Sequence, residues 1–305
     1  MTTTPAGRWR LTADPAEFLD RARAHLHAEP ALNTALLTVA DTLRTRGPHV
    51  YGDGDPLFGW LDDGGGDGNG DGGDGGGARG AFLRTPPHRV AVSPRTADAP
   101  GALDALAGEL AALAPELPGV MSDRAAAEGF ARAWREHTGD DAAENLRQRL
   151  YRLGTLTPPE PAPPGAARVA GHGDRDLLAR WHQEFMADLG ESPLMDPYVW
   201  ADSRLAYGGV TLWETPDGTP VSMAGATRPV AGQIRVAPVY TPAEHRARGY
   251  AGAVTAEVTR AALAAGAGDV LLFTDLANPT SNGLYQRIGY RPVRDYAQFT
   301  FTRAR

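Results

Sequence analysis

Residues 235–252 read RVAPVYTPAEHRARGYAG. Apolar residues run to Tyr240, Thr241-Pro242 turns the chain, Gly249 follows, and an Ala- and Val-rich helical stretch begins. Strand, turn, glycine and helix in that order make an anion site. The first N–H groups of a helix have no internal partner, and the helix dipole adds partial positive charge there. Gly249, with the small Ala251 and Gly252, lets a phosphate come close to the backbone, and Arg246 and Arg248 add charge beside it. The same residues have a purely structural reading. Thr241-Pro242-Ala243-Glu244 has the form of a capping box with proline at the first helical position. The dinucleotide fingerprint G-x-G-x-x-G is absent.

Outward from this stretch the pattern is α+β. A short strand, Ala167 to Ala170, comes first, then a helix from Asp174, its expected N-cap, to Leu189. Leu177, Leu178, Trp181, Phe185 and Leu189 recur along it at helical spacing. Strands are expected at Val210–Glu214, Val221–Thr227 and Gln233–Tyr240. The helix after the quoted stretch runs to about Ala265 and stops at Gly266. The apolar run Val270–Phe273, a short helix through Leu284–Ile288, and an alternating strand Tyr296–Thr302 complete the half. Ala297, Phe299 and Phe301 share one face of that last strand.

The residues before this half repeat its outline. A helix near Glu17–His27 precedes Phe58-Gly-Trp-Leu, Ala81–Arg84 and Arg89–Val92. Then come a helix from Leu103 to Leu113, Gly119-Val-Met-Ser, a helix from Ala125 to His137, and Leu146–Leu153. Two tandem α+β units of one architecture, each a mixed central sheet flanked by helices, is the economical reading. The proline-rich segment 157–165, TPPEPAPPG, reads as a semi-rigid extended linker. It divides the chain into 1–156, 157–165 and 166–305. Within the first part, 62–80 (DDGGGDGNGDGGDGGGARG) has no apolar residue to bury and reads as a disordered loop. A calcium-binding Gly–Asp repeat would need an apolar residue in every unit, and none is present.

Composition narrows the chemistry. The chain has 305 residues, 42% of them hydrophobic, which suffices for two cores. It has no cysteine, so disulfides, Cys-based zinc sites and Cys nucleophiles are excluded. It has no lysine either, which excludes a Walker A loop and a Schiff base. The eight histidines show no metal-ligand spacing, and no metal is expected. A net charge of −7 without basic clusters argues against nucleic acid. No apolar run is long enough to span a membrane, and the first ten residues show no signal-peptide core. A cytoplasmic protein is the expectation.

The stretch Arg246-Ala-Arg-Gly249-Tyr-Ala251 fits the R/Q-x-x-G-x-G/A signature of the GNAT superfamily of N-acetyltransferases. The preceding Val236-Ala-Pro-Val239-Tyr240-Thr241 looks like that family's fourth strand. Residues 271–293, LLFTDLANPTSNGLYQRIGYRPV, resemble its second signature, a strand followed by Asn-Pro and a Tyr-x-x-x-Gly-Tyr. The resemblance covers roughly residues 166–305. The first half resembles the fold only in element order. After His88-Arg-Val-Ala-Val-Ser it lacks the glycine spacing, so it looks like a degenerate unit without the cofactor.

The resemblance implies acetyl-CoA as co-substrate and a primary amine on a small molecule or peptide as acceptor. In the family the fourth and fifth strands splay apart, and pantetheine would slot between them along Val239, Tyr240 and Thr241, with the acetyl carbonyl near Val239. The pyrophosphate would sit on the backbone of Arg246, Ala247, Arg248, Gly249, Tyr250, Ala251 and Gly252. Asn278 resembles the family's pantetheine contact, and Asn282 either joins it or only starts the short helix. Tyr285 matches the tyrosine that protonates the leaving thiolate, a task a phenol of pKa about 10 can perform on a thiol of pKa about 8.5. Glu214 is the first candidate for the base, then Glu184 and Glu191. Tyr207, Trp200 and Trp213 could line an acceptor pocket or fill the core. Tandem enzymes of low-molecular-weight thiol synthesis, and a non-catalytic acyl-CoA-binding or interaction module, are the competing readings. Oligomeric state, including a homodimer, is left open.

Overall fold

The computed structural model describes residues 8–62, 77–191, 193 and 195–304. The loop expected at 62–80 therefore falls mostly outside the described residues. The chain forms two compact units, Met1–Gln148 with Arg294–Arg305, and Arg149–Val293.

The first unit opens with β1 (Arg8–Thr12), α1 (Pro15–Arg21), α2 (Arg23–Ala28) and α3 (Thr34–Arg46). It continues with β2 (Leu57–Asp62), β3 (Gly80–Arg84) and β4 (Val90–Val92). A 3-10 turn (Pro94–Asp98) leads to α4 (Ala102–Leu113), β5 (Gly119–Asp123), α5 (Arg124–Thr138) and the start of β6 (Asp141–Leu153). The second unit has β7 (Ala166–Val169), α6 (Arg175–Asp188), α7 (Pro197–Leu205), β8 (Val210–Glu214), β9 (Pro220–Ala226) and β10 (Gln233–Tyr240). A 3-10 turn (Ala243–His245) then precedes α8 (Tyr250–Ala264), β11 (Asp269–Asp275), α9 (Pro279–Arg287) and β12 (Tyr290–Thr302).

Local chemistry explains the clearest elements. Asp123 caps α5 by accepting from the Ala126 N–H at 3.1 Å, and Gly139 ends that helix at φ 76°. Its buried face, Ala126, Ala127, Phe130, Ala131 and Trp134, has the periodicity of a core helix. Asp196 caps α7 by accepting from Tyr198 and Val199, with Pro197 at the first helical position. Asp174, expected to cap α6, makes no capping bond. Its carboxylate instead accepts from Gly171 N–H at 2.8 Å and from Arg168.

In the first unit the sheet order is β1-β2-β3-β4-β5, and β5 then pairs antiparallel with residues of β12, from Tyr296↔Asp123 to Thr300↔Gly119. Phe299 and Phe301, read from alternation as one face, pack into this unit's core with Trp9, Phe82, Phe130 and Trp134. Phe301 stacks on Trp134 with ring centroids 5.1 Å apart. Losing either ring would cost about 3–5 kcal/mol. The division of the chain thus falls within β6 and β12 rather than at the proline-rich segment, which lies inside the second unit. Strand pairing decides this, because the last strand finds its hydrogen-bond partner in β5. In the second unit the order β11-β10-β9-β8-β7 is antiparallel except for the parallel β10–β11 pair. One apolar cluster, with Val236, Val254, Leu272 and Tyr285, packs α8 and α9 against the sheet. Another, with Trp181, Trp200, Leu212 and Tyr240, packs α6 and α7.

Candidate active site

The site begins where β10 and β11 part. They pair as parallel neighbours at Gln233↔Asp269, Ile234↔Val270 and Arg235↔Leu271, and no further pair forms among the described residues. Both strands continue, β10 to Tyr240 and β11 to Asp275. The result is a wedge whose β10 side, Val236 to Tyr240, is about 16 Å long at 3.3 Å per residue. Its backbone groups are open to a ligand. Pro238 supplies no N–H, so it cannot continue a ladder. On its other side β10 bulges: Val236 faces Ala226 and Val239 faces Ala224, so three residues of β10 span two of β9. Gly225 permits this, since a Cβ there would lie 2.6 Å from the Ala237 carbonyl.

At the end of the wedge the chain makes the turn whose sequence reads as an anion site. Gly249 sits in the left-handed region at φ 83°, ψ −5°, directly before α8, with no side chain capping the helix. Ala247 is also left-handed, at φ 60°, a conformation costing an alanine about 1–2 kcal/mol. Neither the periodicity nor the motif signals that strain. The capping box does not form. Pro242 precedes only the 3-10 turn, and the Thr241 hydroxyl instead bonds Ser222 Oγ at 2.8 Å. Ser222 Oγ also lies 3.0 Å from the Tyr240 carbonyl.

The two arginines of the turn differ. Arg246 donates to the Thr241 carbonyl at 2.9 Å and pairs with Asp188 of α6. Arg248 makes no hydrogen bond or ion pair among the described residues. Tyr250 is buried in the core and contributes backbone rather than side chain to the turn. Ala251 is half-buried at the first turn of α8. Gly252 serves packing: a Cβ there would meet Leu284 Cδ1 at 3.0 Å and Pro159 Cγ at 3.3 Å.

On the β11 side, Asn278 caps α9 by accepting from Ser281 N–H at 3.0 Å. Asn282 is a brace. Its amide donates to the carbonyls of Asp275 and Asn278 at 2.7 and 2.8 Å, and its oxygen accepts from Tyr151 at 2.9 Å. Both amide hydrogens are spent within the chain, which favours the second of its two expected roles, at the start of the short helix. Tyr151 was missed as a candidate; it is fully buried on β6 and also accepts from Gln286.

Tyr285 lies in the cluster that holds Val236 and Leu272, with Val239 packed against it. Tyr151 and Tyr290 have hydroxyl partners, whereas Tyr285 has none among the described residues. Burial pushes its phenol above the ordinary value, so it holds its proton and stands as a hydrogen-bond donor.

Glu214 is not placed as a base. β8 aligns Thr211 with Ala224, which faces Val239, and Glu214 lies three residues further on at the far end of that strand. Its carboxylate is held by Arg168 at 2.7 Å, and Arg168 also grips Asp174. Glu184 is the carboxylate that α6 brings to β10, accepting from the Tyr240 hydroxyl at 3.0 Å. Burial first, and this hydrogen bond second, push Tyr240 up to about 12. Glu191 lies just past α6. Trp200 and Trp213 are core residues, and Tyr207 bonds the Ala226 carbonyl at 2.7 Å. The expected elements did not include α7, although Asp196-Pro197 has the form of a helix start.

A wedge between two parallel strands, ending on a left-handed glycine and a helix N-terminus, is the architecture of the GNAT proteins. Residues 222–298 match the family model described as FR47-like protein. Over nearly the whole chain the structure is similar to a GCN5-related N-acetyltransferase from Sphaerobacter thermophilus. The two share 17% identity over 99% of this chain and 96% of that one, at a TM-score of 0.61. A GNAT-family acetyltransferase from Colwellia psychrerythraea matches at 10% identity over 97% and 100% of the chains, with a TM-score of 0.60. A tandem GNAT protein from the clavulanic acid biosynthesis pathway matches at 11% identity over 97% and 98%, with a TM-score of 0.57. No curated protein matches the sequence with significance. The chain has a tandem GNAT fold with an FR47-like segment in its C-terminal half. Among the described residues no group of His, Asp and Glu is placed to hold a metal, and no helix is long and apolar enough to cross a membrane.

Proposed function

We propose that the second unit transfers an acetyl group from acetyl-CoA directly to a primary amine of a small molecule or peptide. The observation that carries this reading is the early end of the β10–β11 ladder at Arg235↔Leu271. It leaves an extended slot that leads to the Gly249 turn. The pantetheine arm pairs with the open backbone of Val239 and Tyr240, and the pyrophosphate rests on the N–H groups around Gly249 and Ala251, with Arg248 as its counter-charge.

The amine nitrogen attacks the thioester carbonyl carbon. As the C–S bond breaks, sulfur takes the electron pair and Tyr285 supplies a hydrogen bond and then the proton. Full transfer leaves a buried tyrosinate, so the phenol's help is greatest as the sulfur acquires charge. The proton lost by the amine passes through water to Glu184, the carboxylate that accepts from the Tyr240 hydroxyl of β10. This replaces Glu214 in that role.

The test is calorimetric titration of the full chain with acetyl-CoA, followed by an amine screen for released thiol. One binding site and amine-dependent thiol release are the expected results. A folded chain that ignores millimolar acetyl-CoA overturns the reading.

A further inference from the structure

The segment 157–165, read from its prolines as a tether, is fastened at both ends within the second unit. Thr157 N–H donates to the Ile288 carbonyl at 3.0 Å. Trp213 Nε1–H donates to the Pro164 carbonyl at 3.2 Å. At Gly165 the backbone lies against β8, where a Cβ would stand 2.0 Å from the Glu214 carbonyl.

Between these anchors two prolines reach the anion turn. Pro159 Cγ lies 3.3 Å from where a Cβ on Gly252 would be, and the Pro163 ring lies 3.8–3.9 Å from the equivalent point on Gly249. The strap therefore flanks the turn from Gly249 to the first turn of α8. Arg248, the residue before Gly249, has no partner among the described residues. Prolines have no N–H and a fixed φ, so they form a pre-ordered wall that does not compete with α8 for a phosphate. Their rings also offer an apolar face to an aromatic base.

We propose that this proline strap is a wall of the donor site that holds the nucleotide end of acetyl-CoA against the Gly249 turn, with Arg248 meeting its phosphates. This rests on reading the second unit as an acetyl-CoA site. The pantetheine arm runs from the turn into the wedge, so the phosphates and adenosine are the parts left at the strap.

The experiment compares acetyl-CoA with acetylpantetheine, which lacks the phosphates beyond the arm and the adenosine, on the full chain and its P159G/P163G variant. The variant is expected to bind acetyl-CoA about tenfold more weakly, because a loosened wall must be ordered on binding. Acetylpantetheine should bind both proteins alike. Unchanged or tighter acetyl-CoA binding by the variant overturns the strap alone, as does equal weakening of both donors. A wild-type chain that binds neither donor overturns the reading of the second unit and the strap with it. Wild-type protein provides a check that needs no substitution. The Trp213 indole N–H resonance should shift with acetyl-CoA but not with acetylpantetheine. A resonance that stays put at saturating acetyl-CoA overturns the proposal.

Discussion

The two units carry the same backbone turn in different surroundings. After β4, the 3-10 turn Pro94–Asp98 leads to Gly101 at φ 73°, ψ −3°, and then to α4. After β10, the turn Ala243–His245 leads to Gly249 at φ 83°, ψ −5°, and then to α8. Neither helix has a side-chain cap, so each start has free N–H groups. The strands before the turns differ. β4 ends at Val92, paired to β5 through Val90↔Val120 and Ala91↔Met121, and Ser122 Oγ donates to the Val92 carbonyl at 2.7 Å. That bond closes the first unit at the point where the second opens. A cavity of about 330 Å³ in the first unit borders its 3-10 turn, lined by residues that include His25, Arg79, Arg95 and Asp98. On the reading proposed for the second unit, an uncapped helix start serves as a cofactor site only where a slot leads to it.

The comparison can be tested at several points. The largest effect should be one the units share. Each buries an imidazole, His25 in the first and His182 in the second, and in both cases burial, with an arginine second, lowers the pKa to about 4. The unfolded chain takes up these protons near pH 6.5, so the stability is complete above that pH and is lost as the pH falls towards 4. The loss should approach about 3 kcal/mol per histidine. Thermal melts from pH 7 to 4 should show it, and His25→Gln and His182→Phe should each flatten the curve. A slope unmoved by either would place the acid sensitivity elsewhere.

Next is Tyr285→Phe, expected to slow turnover about a hundredfold with little change in acetyl-CoA affinity. An unchanged rate would remove Tyr285 from the chemistry. Gly249→Ala and Gly101→Ala test the turns directly. Both place an alanine at positive φ and should cost about 1 kcal/mol of stability. Only Gly249→Ala should weaken acetyl-CoA binding, by about tenfold, measured by calorimetry. Equal weakening would mean that the first unit also binds the cofactor. The smallest effect is Ser122→Ala, which leaves the Val92 carbonyl without that donor and should cost about 1 kcal/mol in a denaturant titration.

Much of this was legible because it is local. The Gly249 motif, the apolar periodicity of α5 and α6, and the alternation of β12 are written in neighbouring residues, and the strands Val210–Glu214 and Gln233–Tyr240 have the bounds read from them. Other features depend on residues far apart in the chain. The partner of the Asn282 oxygen is Tyr151, 131 positions away, and whether Glu214 was free depended on Arg168, 46 positions away. Spacing shows neither contact. By itself the sequence determined the α+β class, the tandem repeat and the place of the Gly249 turn, since these follow from propensity, period and helix-end chemistry. Tertiary structure alone decided that β12 completes the first unit's sheet, that the parting of β10 and β11 comes after three pairs while Ser122 closes the first unit, and that the proline segment lies against Gly249. These depend on which backbone groups find partners, and a buried N–H or C=O is satisfied by whatever the fold brings near it.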